Sequence, residues 1–187
     1  MQTRYGSVIH NMFEKLSTDR LRLRPIRDDD AKIIFEKWCQ DSEVCKHMTW
    51  IPHTDISITH AFISFCLEGW SFSHFTWLIE EIGSGEVIGC FDATVDGHKV
   101  DVGYLIIKTR WGKGYMSEVL QSFISEAFKR EDICRISAVC DIDNLASKKV
   151  MEKVGMSYEG ILKSWLIHPN LSARPRDCHS LCIIKNH

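Results

Sequence analysis

Arg110-Trp111-Gly112-Lys113-Gly114-Tyr115-Met116-Ser117-Glu118 is the segment of this chain whose residue types most plainly suit chemistry. Two glycines spaced i, i+2 ahead of an amphipathic stretch leave backbone N–H groups uncovered and let a phosphate approach closely. Lys113 and Arg110 supply positive charge, and Ser117 supplies a hydroxyl in the first helical turn. The same glycines would also serve a plain strand-to-helix turn, so their spacing alone leaves both uses open. The pattern is not a Walker loop, and it is not the G-x-G-x-x-G of a dinucleotide fold.

The elements around this turn follow from hydrophobic period. Tyr115, Met116, Val119, Leu120, Phe123, Ile124, Ala127 and Phe128 recur at a four-residue spacing, which predicts an amphipathic helix over 115–128. Val100 to Ile107 reads as the strand before it. Upstream, Leu21, Leu23 and Pro25 alternate with arginines as a strand, and Asp28-Asp29-Asp30 opens a helix carrying Ala31, Ile34, Phe35 and Trp38. A loop is expected over 50–59 and a second helix over 61–70. Strands at 75–82 and 87–95 form a hairpin about Gly83-Ser84-Gly85-Glu86. Downstream come a strand at 133–140, a helix at 146–154 closed by Gly155, and strands at 157–166 and 178–184. Residues 1–16 lack periodicity and read as an arm, leaving 17–187 as a single domain. The order predicts an α+β fold, a mixed sheet with helices on both faces and one crossover through the helix after the glycine turn.

Composition narrows the function classes. With 23 Lys and Arg against 25 Asp and Glu, the net charge is -2, which argues against a broad basic face for nucleic acid. A small basic pocket stays open. No apolar run approaches the ~18 residues that span a bilayer, and the first twenty residues have no secretory leader, so a cytoplasmic protein is expected. The eight cysteines contain no C-x-x-C pair and read as reduced, structural thiols. Cys178, His179, Cys182 and His187 match no common zinc spacing, and no metal is expected.

Three blocks carry a family resemblance. VDVGYLIIKTRWGKGYMSEVLQSFISEAF, Val100 to Phe128, closely resembles the acetyl-CoA-binding core of the GNAT N-acetyltransferases. DNLASKKVMEKVGMSYEGILKS, Asp143 to Ser164, is similar to the superfamily's second conserved block. STDRLRLRPIRDDDAKIIFEKW, Ser17 to Trp38, resembles the opening of its RimJ/RimL branch, which acetylates α-amino groups of ribosomal proteins among other amines. The resemblance implies a mostly antiparallel sheet of about seven strands, splayed in the middle and flanked by about four helices. It implies acetyl-CoA as co-substrate and an amine acceptor as partner, with no direct contact to nucleic acid or membrane; a homodimer is compatible with it. The coenzyme A pyrophosphate would lie on the N–H groups of Gly112, Lys113, Gly114, Tyr115 and Met116, with Ser117 and Arg110 nearby. The family often has Gly or Ala where Met116 stands, which only requires that this side chain turn back to the core.

The resemblance also distributes roles. Leu105 and Ile106 on the strand would hold the pantetheine and thioester, whose carbonyl backbone N–H groups would polarise. Asn144 would contact the cofactor arm, or cap the helix behind it, or both. Asp101 is the leading base candidate, with Glu80, Asp92 and Glu159 behind it. Many relatives place a tyrosine acid seven residues after the asparagine; here that residue is Met151, so Ser147 becomes the candidate donor. Met151 equally suits a non-catalytic acyl-CoA-binding module, a reading that the carboxylate of Asp101 disfavours. His47, Trp50, His53, Trp70, Phe72 and Trp165 fall in segments that wall the acceptor site or pack in the core. The polar loop 167–177 would close over the acceptor or simply connect two strands.

Overall fold

Alternation and helical period are realised as an eight-stranded sheet with five α-helices in a computed structural model that describes residues 16–185. The expected arm lies outside the described residues except for Leu16. The strands are β1 (Leu16–Ser17), β2 (Leu21–Pro25), β3 (His74–Glu81), β4 (Val87–Asp96), β5 (Lys99–Ile106), β6 (Arg135–Asp141), β7 (Ser157–Leu166) and β8 (Arg176–Ile184). The helices are α1 (Ala31–Ile34, running on as a π-turn Phe35–Cys39), α2 (Ser42–Cys45), α3 (Ile56–Gly69), α4 (Tyr115–Ala127) and α5 (Leu145–Lys153). Sheet order is β1-β2-β3-β4-β5-β6-β8-β7, and β5–β6 is the parallel pair.

The elements beyond the expected seven strands and four helices are short. β1 pairs only Leu16 and Ser17 with Leu23 and Arg22, and α2 is one turn, too little for a period to show. α3 starts at Ile56 rather than 61 because Asp55 caps it, accepting from the Ser57 N–H at 2.8 Å. No described helix is long and apolar enough to cross a membrane. The eight cysteines are free thiols, seven of them buried.

Two features of the sheet place the site. Opposed residues share a face, so Trp77, Phe91 and Tyr104 face one way and Thr76, Asp92 and Gly103 the other. α4 covers the first face, with the Phe123 ring tilted against Phe91 at 4.8 Å and Trp77 at 6.1 Å between centroids. Cys66 of α3 lies beside Thr76 and Asp92 on the second face. The other feature is a split. β5 and β6 pair only at Lys99–Arg135, Val100–Ile136 and Asp101–Ser137, and then diverge although both strands continue. The expected splay is therefore present, and a cleft passes between the two faces.

Candidate active site

The glycine turn has the geometry that phosphate approach requires. Gly112 and Gly114 have φ of 73° and 78°, the left-handed region that favours glycine, and Gly114 begins α4 with no side-chain cap. Among the described residues no acceptor faces the N–H groups of residues 112–117. Met116 is 5% exposed, turned into the core as the position demands. A Cβ on Gly114 would lie 3.8 Å from Lys153 Nζ and 3.9 Å from Arg20 Nη2, so two cations flank the turn. Arg20 is steadied there by Glu118 (Nε to Oε2, 2.7 Å) and stacks 4.3 Å over the Tyr115 ring. Gly114, Ser117 and Lys153 line a hollow of about 280 Å³ beside the helix start.

Arg110 stands apart from this arrangement. Its guanidinium is held by Glu81 at 3.1 Å and Glu86 at 2.8 Å, and Tyr115 donates its hydroxyl to Glu81 at 2.5 Å. Lys113 contributes its carbonyl to Arg20 Nη1 at 3.3 Å. Ile106 likewise contributes a carbonyl, which accepts from Trp111 Nε1 at 2.7 Å and folds the loop back on the strand end.

A second cavity of about 280 Å³ fills the β5–β6 split, and residues from both sheet faces line it. On the α5 side stand Tyr104, Asn144 and Ser147, while Leu105, the next residue of β5, lines the cavity from the other face. Asn144 Oδ1 accepts from the Ser147 N–H at 3.1 Å, so it caps α5 while bordering the cavity. Ser147 Oγ lies 3.0 Å from the Tyr104 hydroxyl, which is also 3.3 Å from the Ser147 carbonyl. Burial pushes the Tyr104 phenol above its ordinary range, so it stays protonated. Met151 is fully buried in the core.

On the α3 side the four carboxylates considered from sequence part company. Asp101 is exposed, accepts from Ser137 Oγ at 2.5 Å, and does not line the cavity. Glu80 is paired with Arg22 and Arg24, and Glu159 with Arg135. Asp92 lines the cavity. Its carboxylate lies over Gly103, where a Cβ would come within 2.4 Å of Oδ2. Burial raises the Asp92 carboxyl, against the opposing pull of His74 and the Gly103 N–H. Among the described residues no Lys or Arg forms an ion pair with it.

Trp38, Trp50, His53 and Phe62 form the apolar wall opposite. Asn170 donates to the Cys45 carbonyl at 2.7 Å and the Trp50 carbonyl at 2.8 Å, so the β7–β8 loop roofs this side and does more than connect strands. His47, Leu166 and His168 also line it, whereas Trp70, Phe72 and Trp165 do not reach it.

Residues 20–157 match the family model described as the acetyltransferase (GNAT) domain, most of the chain. The chain belongs to the GNAT acetyltransferases. This GNAT chain is 34% identical over 182 residues to the uncharacterized N-acetyltransferase YoaA of Bacillus subtilis, covering 93% of the chain and 98% of the relative. In fold it matches a Salmonella typhimurium acetyl transferase that modifies the N-terminal serine of ribosomal protein L7/L12 (TM-score 0.80, 19% identity, 90% of this chain and 97% of that one). It also matches the Vibrio cholerae spermidine N-acetyltransferase solved with CoA and spermine (TM-score 0.74, 14% identity, 89% and 96%).

In this GNAT acetyltransferase, Arg20, Lys153 and Tyr104 reach the site without having stood out in the sequence. In sequence Arg20 is one of three arginines alternating along a strand, and nothing in the local pattern sets Lys153 or Tyr104 apart. The signal that could have exposed Tyr104 is the hairpin register, which sets it opposite Phe91 on the α5 face.

Proposed function

We propose that this GNAT acetyltransferase moves an acetyl group from acetyl-CoA to a primary amine by direct attack on the thioester, with Asp92 as base and Ser147 as proton donor. One observation carries the reading: the cleft opens to both sheet faces, with a half-buried carboxyl that has no ion-pair partner among the described residues on one and a hydroxyl pair on the other. The amine enters from the α3 side and gives its proton to Asp92. Nitrogen then bonds to the acetyl carbon, the carbon–sulfur bond breaks, and the departing thiolate takes the Ser147 proton while the proton that the new amide nitrogen loses replaces it, so the hydroxyl is restored and thiol and amide leave neutral. The glycine turn, with Arg20 and Lys153, binds the pyrophosphate end of the co-substrate. Arg110, held by two glutamates, supports the turn from behind. Asp101 sits outside the cavity and takes no part in proton transfer.

A thiol of pKa ~8.5 leaves readily, so the donor's contribution is modest. Ser147→Ala should lower kcat by about tenfold. Tyr104→Phe should lower it less, and the double variant should fall short of the product of the two, because they share one hydrogen bond. Steady-state kinetics of the three variants, with KM for acetyl-CoA unchanged, check this.

At pH 7 a lysine amine is only about 0.04% neutral, against roughly 15% for an α-amine. Short peptides should therefore be acetylated at the α-amine faster than at lysine side chains, which mass spectrometry of the products reads directly. Thiol release across a panel of primary amines tests the reaction itself. Acetyl-CoA binding with no release for any amine would instead mean a binding module.

A further inference from the structure

We infer that His47 and His168 form a recognition subsite in the acceptor half of the cleft for a neutral hydrogen-bonding group next to the reacting amine, a hydroxyl or an amide. The inference rests on the proposal that the α3 side of the cavity receives the amine. Both imidazoles line the same cavity as Asp92, His47 from the segment after α2 and His168 from the β7–β8 loop, next to Asp141 at the end of β6. His168 is 3% exposed, and among the described residues Nδ1 of each ring is buried with no hydrogen-bond partner. Buried polar atoms are seldom left so unless something else occupies the site.

Asp141 does not meet this demand. His47 Nδ1 is 3.6 Å from an Asp141 oxygen, beyond hydrogen-bond range, and on His168 it is Nε2, not the orphaned Nδ1, that approaches Asp141, at 3.8 Å. Those oxygens are already taken by Arg176 Nε at 2.6 Å, Arg176 Nη2 at 3.1 Å and the Asp143 N–H at 3.0 Å. Arg176 thus compensates the buried carboxylate, and the second carboxylate on Arg176, Asp143, is solvated. The Cys178 thiol, itself raised by burial, also lies against His168, 3.8 Å from Nε2. Burial, opposed by Asp141, keeps the His47 imidazole neutral.

A neutral imidazole offers one donor and one acceptor. His47 in that form, with Nδ1 of His168 lining the same cavity, complements a group that both donates and accepts, as hydroxyls and amides do. A second ammonium would find no unpaired carboxylate here, because the uncompensated one, Asp92, is engaged with the reacting amine. The subsite therefore selects amino alcohols or amino amides over diamines and plain alkylamines.

The test is a rate comparison among propylamine, 1,3-diaminopropane, 1-amino-2-propanol and alaninamide, each corrected for its neutral fraction. The amino alcohol or the amino amide should exceed both other amines in kcat/KM by about tenfold or more, and which of the two leads identifies the group recognised. In His47→Leu, and in His168→Gln should the buried leucine variant at 168 not fold, that ratio should fall towards one. Equal rates for all four amines in the unaltered protein would overturn the subsite, as would a ratio that survives both substitutions. Failure of every amine to release thiol would overturn the transferase reading and the subsite with it.

Discussion

Asp92→Asn is expected to lower kcat by about 10²–10⁴ and, at the same time, to stabilise the protein at neutral pH. Both effects come from one placement. Asp92 is a half-buried carboxyl facing the acceptor half of the cleft, without an ion-pair partner among the described residues. As base it must be ionised, so the unaltered enzyme should lose activity as acid protonates it, and the asparagine variant should show no such limb. For stability, a carboxyl raised in the folded state contributes fully below its unfolded pKa of ~3.9 and loses that contribution as pH rises through the folded value. The neutral amide escapes that loss. The melting temperature of Asp92→Asn should exceed that of the parent at pH 7, and the two should converge towards pH 4. Asp101→Asn, on the exposed strand end beside Ser137, should leave the acid limb in place. A pH–rate profile unchanged in Asp92→Asn would remove Asp92 as base.

Gly114→Val should weaken acetyl-CoA binding by more than about tenfold, for two separable reasons. At φ 78° a β-branched residue is strained by about 1–3 kcal/mol, which a lowered melting temperature reports. Its Cβ would also stand between Lys153 Nζ and Arg20 Nη2, covering the N–H groups with methyls where a phosphate would sit. Gly97→Ala supplies the comparison. Gly97 has φ 58° in the β4–β5 turn with open space around it, so it should cost stability and leave affinity alone. Calorimetry on both variants separates backbone strain from phosphate approach. Undiminished affinity in a folded Gly114→Val protein would remove the turn as the binding site.

The elements were legible in the sequence because their signals are local. β7 begins and ends at the residues that alternation indicated, α4 starts at Tyr115 where the four-residue spacing begins, and Gly155 closes α5 at φ 85°. The two glycines of the turn have the positive φ that motivated reading them as permissive backbone, and Met116 turns inward. Each of these depends on residues within about ten positions of one another, so a single stretch of chain states it.

Which side chains meet in the cleft was decided by tertiary structure. Asp92 and Asp101 are both strand carboxylates one hairpin apart; their different burial arises because β5 and β6 part just beyond Asp101, a fact about packing that neither strand encodes alone. Arg110 had the right charge beside the turn, yet Glu81 and Glu86 from the β3–β4 hairpin hold it, while Arg20 and Lys153 arrive at Gly114 from distant segments. Tyr104 meets Ser147 across the sheet surface, although Met151 occupies the position where a tyrosine was looked for. Period and turn chemistry are written in neighbours along the chain, whereas burial, charge pairing and the orphaned nitrogens of His47 and His168 depend on neighbours in space, which exist only once the strands and helices have docked.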